Sequence, residues 1–103
     1  MLVTKKYQQD DIVSFKLVNG DEIVAKIIEE SDDAYQVSKP CTVIPSQQGL
    51  GLMQSLFTSD LNSTITLDKK HVMMSAKTVK DVENHYIRTT TGIEPVDAGA
   101  IIV

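Results

Sequence analysis

Val13-Ser14-Phe15-Lys16-Leu17-Val18-Asn19-Gly20-Asp21-Glu22-Ile23-Val24-Ala25-Lys26-Ile27 is the stretch that decides how this chain folds. From Ile12 the apolar residues keep a period of two, so Val13, Phe15 and Leu17 share one face of a strand and Ser14 and Lys16 the other. Asn19-Gly20 then marks a hairpin, because both residues accept the positive φ of a type I′ turn. Ile23, Ala25 and Ile27 resume the alternation against Glu22, Val24 and Lys26. The stretch predicts two antiparallel strands joined by a tight turn.

On either side of it, residues 1–11 are polar and read as a loose lead-in or a frayed turn. Glu29-Glu30-Ser31-Asp32-Asp33 reads as a charged turn, too polar to be buried. A third strand is expected over Ala34–Ser38; Pro40 and Pro45, which lack the ladder donor, then bracket a break, an edge or a bulge around Cys41-Thr42-Val43-Ile44. Residues 47–57 are apolar, uncharged and carry Gly49 and Gly51, and read as a long, partly extended loop. Thr64-Ile65-Thr66-Leu67 and Val72-Met73-Met74-Ser75 give two further strand segments, separated by Asp68-Lys69-Lys70-His71. Thr78 reads as a helix cap with Asp81 three residues on, and Val79, Val82 and Tyr86 form an apolar stripe that should end near Thr89–Gly92. Residues 93–103 form a tail whose last residues, Ala100-Ile101-Ile102-Val103, are apolar enough to dock. The expected fold is therefore mainly β: one domain over 12–92, with five short antiparallel strands bent into a small open barrel and a C-terminal helix.

Composition bounds the function. The chain has 103 residues, 42% of them apolar and 23% charged, with no apolar run of the length a transmembrane helix needs. The start lacks the apolar core of a secretory signal, and the single cysteine, Cys41, can close no internal disulfide; both point to the reducing cytoplasm. A net charge of −4 argues against coating duplex DNA by bulk charge. His71, His85 and Cys41 have no zinc-ligand spacing, and no nucleophile elbow or phosphate-cradling glycine loop is present. The expectation is a protein that is not an enzyme, with no cofactor, no metal, no membrane and no small-molecule substrate.

Val13-Ser14-Phe15-Lys16-Leu17-Val18-Asn19-Gly20, followed by Ile23, Ala25 and Ile27, resembles the first motif of the Sm and Sm-like family, most closely in its Hfq-type form. Lys70-His71-Val72-Met73-Met74-Ser75 resembles the Hfq-type second motif, built around a Lys-His pair. The chain also resembles small Sm-like proteins of marine phages, which would place it in a host cytoplasm. It departs from the family pattern at Ala25, where glycine is usual, and at Asp68-Lys69, which replace the Arg-Gly pair. The link between the motifs is longer than in Hfq, and the helix follows the strands instead of preceding them. The resemblance implies a homo-oligomeric ring of about five to seven subunits that binds single-stranded nucleic acid, RNA before DNA.

Counted from Asp32, Gln36 falls where Sm proteins place an RNA-contacting asparagine, and Ala34 where a stacking residue often sits. The residues that would carry RNA binding are Lys70 and His71, for phosphate, base edge or ribose hydroxyl, with Tyr35 stacking on a base and Gln36 reading its edge. Each has a plainer reading. Lys70-His71 would serve as a solvated β-turn, and Tyr35 as a half-buried strand residue. The acidic residues Asp21, Glu22, Glu29, Glu30, Asp32 and Asp33 read as solvated strand ends that confine any RNA to the Lys70 side. Leu50, Leu52, Met53, Leu56 and Phe57 either fill the core or face a neighbouring subunit. The alternative function is a structural or adaptor ring that makes protein contacts along residues 47–60.

Overall fold

The computed structural model describes residues 5–60 and 62–91; the 93–103 tail lies outside them. The elements in chain order are β1 (Ile12–Leu17), β2 (Glu22–Glu30), β3 (Ala34–Ser46), β4 (Gly49–Gln54), β5 (Thr64–Asp68), a short 3-10 turn (Lys69–His71), β6 (Val72–Lys77) and α1 (Lys80–Thr91). The fold is mainly β, an open antiparallel sheet in the order β4-β3-β2-β1-β6, with β5 paired alongside the first half of β3. Among the described residues, β5 pairs only with β3 and β6 only with β1, so each keeps one free edge. No helix among them is long and apolar enough to cross a membrane.

The first hairpin forms as the alternation predicts, with Val13 opposite Ala25 and Phe15 opposite Ile23. Its turn differs from the type I′ expectation. Only Gly20 has positive φ, at 97°, while its N–H bonds the Leu17 carbonyl at 2.9 Å and Leu17 N–H bonds the Asp21 carbonyl at 2.8 Å. This is a three-residue loop closed by a left-handed glycine, which also suits the strand twist.

β3 is a single long strand where a break was expected. Val24 pairs with Cys41 but Lys26 with Ser38, so an extra residue bulges out of β3 at Lys39-Pro40, and Lys39 takes a φ of 54°. Proline is tolerated at a bulge because the ladder is already interrupted there. Beyond it, Cys41–Ser46 pairs with β4 in register from Cys41–Gln54 to Ser46–Gly49. The segment read as a loop over 47–57 is thus largely a strand, and the sheet has six strands, not five. Gly49, at a φ of 117°, supplies the turn, and Ser46 Oγ donates to the Gly49 carbonyl at 2.9 Å.

Apolar packing divides between the two faces of the sheet. On one, Tyr7, Val13, Phe15, Ile23, Ala25, Ile27, Tyr35 and Val37 are buried together, with Leu17, Ile65, Leu67 and Val72 at the margin. On the other, Val24, Cys41 and Tyr86 are buried, flanked by Ile12, Val43, Leu52, Val82 and Ile87. The lead-in is not loose over its described part. Tyr7 is buried, its hydroxyl shares a hydrogen bond with Ser75 Oγ at 2.8 Å, and Asp10 N–H bonds the Ile27 carbonyl.

Over its described span, Lys80–Thr91, the packing face of the helix is Val82, Tyr86 and Ile87, and Val79 is exposed. Thr78 Oγ1 shares a 2.8 Å hydrogen bond with Ser14 Oγ, which fastens the helix entry to β1. The Tyr86 hydroxyl donates to the carbonyls of Ser38 and Lys39, at 3.1 and 2.9 Å. It thereby satisfies backbone acceptors at the bulge, where the ladder is interrupted. Burial pushes the Tyr86 hydroxyl pKa far above its ordinary value, so it remains a donor.

Candidate nucleic-acid interface

The connection from β5 to β6 is made by the sequence Asp68-Lys69-Lys70-His71. Asp68 ends β5 in extended backbone and its Oδ1 accepts the Lys70 N–H at 3.0 Å, a side-chain cap that turns the next three residues into a single 3-10 turn. Two neighbouring loops dock on it. Val18 N–H, in the β1–β2 turn, bonds the His71 carbonyl at 2.9 Å; Lys69 N–H bonds the Asp33 carbonyl, in the β2–β3 turn, also at 2.9 Å. The turn is therefore held by backbone on both sides, and Lys70 and His71 point into solvent.

Beside it lies a partly buried ion pair. Glu30, 4% exposed, accepts from Lys69 Nζ at 2.8 Å and from the N–H groups of Lys6 and Tyr7, both at 3.0 Å. Burial works to raise its carboxyl pKa. The hydrogen bond from Lys69, the two backbone N–H groups and the lysine charge outweigh that and hold it below the usual carboxylate range. Lys69 Nζ also lies 5.0 Å from the centre of the Tyr35 ring. Glu30 was expected to be exposed, as part of a charged turn. A second register shift in β2, between Ile27 and Glu29, is what brings its side chain inward. Neither Glu30 nor Lys69 stands out in the sequence, because the bulge breaks the alternation that would have signalled them.

The four candidate residues fall in different settings. Lys70 is exposed, with a loose 3.8 Å pairing to the half-exposed Asp68 side chain, an arrangement worth little in water. His71 beside it is exposed. Gln36 lies on the outward side of β3, its Oε1 accepting from Thr66 Oγ1 at 3.0 Å. Tyr35 is 6% exposed, and its ring packs against Phe15 at 4.9 Å and Tyr7 at 6.2 Å, with Lys69 nearby. It is a core residue in this structure and offers no free ring face for a base, which corrects the stacking role read from sequence. The acidic turn also lies closer than expected, since Asp33 touches the Lys69 backbone and Ala34 pairs with Asp68.

The site therefore reduces to two adjacent exposed groups, one cation and one imidazole, on a rigid turn between two strands with free edges. It has hydrogen-bond donors suited to phosphate and to base edges, and among the described residues no cluster of three or more His, Cys, Asp or Glu side chains could hold a metal. Comparison of the chain with protein-family models and with curated proteins finds no match.

Proposed function

We propose that this chain is a non-enzymatic, ring-forming Sm-like protein that binds single-stranded RNA in the cytoplasm through Lys70 and His71. The observation that carries the reading is the 3-10 turn: in the connection from β5 to β6, it holds both side chains in solvent on a backbone pinned by Val18 and Asp33, and each of those strands has one edge unpaired among the described residues. Edge-to-edge pairing of β5 of one copy with β6 of the next would repeat this turn around a common axis. Each repeat would add one lysine and one histidine, so a chain of net charge −4 would still present a local ring of donors. Gln36 would contribute its amide donors to a base edge.

The test is a polarisation titration with labelled U-rich and A-rich RNAs at low and near-physiological salt. Binding that weakens steeply with salt, and that Lys70→Ala/His71→Ala abolishes without changing the oligomeric mass, is the expected result. Equal binding by the double variant would remove this site. A second reading, an adaptor ring with protein partners, is favoured by one observation: Lys69 and Lys70 already have acidic neighbours in Glu30 and Asp68. Absence of RNA binding even at low salt would leave that reading in place.

A further inference from the structure

Residues 40–59 contain no Asp, Glu, Lys, Arg or His, in a chain that carries 24 acidic and basic residues elsewhere and a net charge of −4. The structure folds most of this run into the second half of β3 and β4, and β4 ends the sheet with its outer edge unpaired among the described residues. Ile44, Leu50, Met53, Leu56 and Phe57 of the same segment are 40–72% exposed. An edge strand left open is ordinarily guarded by charge, proline or a bulge, because its backbone groups will pair with any other strand. β4 has none of these: its sequence is Gly-Leu-Gly-Leu-Met-Gln.

We propose that the β4 edge pairs antiparallel with β4 of a second copy of this chain about a two-fold axis. This contact is separate from the β5 and β6 edges invoked above. The charge distribution selects the occupant. Two copies of an acidic chain repel wherever their charged surfaces meet, and this hairpin is a surface on which they approach with no like charges opposed. A strongly charged partner, by contrast, would find nothing here to steer it.

The strand is also self-complementary. A two-fold centred on Gly51 sets Leu50 opposite Leu52 of the second copy, and Met53 opposite its Gly49, where no side chain competes for space. Leu50 on one face of the hairpin and Met53 on the other are 49% and 41% exposed, so each face carries an apolar side chain to the seam that such pairing would form.

The experiment is the solution mass of the full chain by light scattering over a dilution series, beside Leu50→Lys/Met53→Lys and Met73→Lys/Met74→Lys. The first variant charges β4 and the second charges exposed residues of β6. The wild type should have twice the mass of the β4 variant, and the doubling should persist in high salt, since the contact is uncharged. The β6 variant should lose any ring but keep the two-fold pair, so failure of the ring reading and failure of this one are told apart. Equal masses for wild type and β4 variant at every concentration would overturn the proposal. If the β4 variant fails to fold by circular dichroism, amide exchange in the wild type decides. Protection of residues 49–54 that falls on dilution supports the pair; protection independent of concentration overturns it.

Discussion

One face of the sheet buries eight side chains around the touching rings of Tyr7, Tyr35 and Phe15, whereas the helix-covered face buries three, Val24, Cys41 and Tyr86. The first is a continuous apolar core crossed by one ion pair, Glu30 with Lys69. The second is a single aromatic anchor whose hydroxyl holds two carbonyls at the Lys39 bulge. The contrast separates two ways of fixing an element. Area holds the strands, whereas the helix combines a small apolar patch with directed hydrogen bonds at Tyr86 and Thr78.

The largest effect should come from Phe15→Ala. Phe15 is fully buried beneath Tyr35, so its loss should cost ~3–5 kcal/mol in chemical denaturation. A cost under ~1 kcal/mol would mean that this face is not the main store of stability. Tyr86→Phe keeps the ring and removes the donor, and should cost ~1–3 kcal/mol, with helical ellipticity lost ahead of the strand signal. A single coincident transition at wild-type stability would show that packing alone holds α1.

Glu30→Gln should cost a similar ~1–3 kcal/mol at neutral pH, and it also has a pH signature. The folded pKa of Glu30 is depressed, so its contribution is present above the unfolded carboxylate range and is lost as pH falls through the lower folded value. Wild type and Glu30→Gln should therefore converge in stability in acid and separate above it; parallel curves would contradict the ion pair. Val79→Ser, on the exposed shoulder of the helix, should change stability by less than ~0.5 kcal/mol.

The first hairpin and the interruption at Asp68–His71 were legible because each rests on a local rule: strict alternation, and a charged break between apolar runs. What was not legible depends on register. The bulge at Lys39 lets β3 run through Pro40, and once it does, Cys41–Ser46 has a partner in β4 that no periodicity announced. The shift after Ile27 turns Glu30 inward, toward a lysine 39 positions away. Tyr7 is a lone aromatic in a polar segment, and only the space beside Tyr35 gives it a place. For the candidate site, the sequence located Lys70 and His71 on their turn. The same alternation that built β3 took Tyr35 into the core.

The seam between β6 and β1 has a consequence for the order in which the molecule assembles. Val13 meets Lys77 across about sixty residues of chain, whereas β1 and β2 are joined by a short turn. Closing the longer loop costs roughly 2 kcal/mol more in chain entropy, so the hairpins β1–β2 and β3–β4 should form first and the β6 seam last. The turn bearing Lys70 and His71 is fastened to Val18 next to that seam. A chain still emerging from the ribosome would accordingly carry its strands well before it carries a finished interface. Pulse-labelled hydrogen exchange should find residues 72–77 the last strand to gain protection, and early protection there would reverse the order.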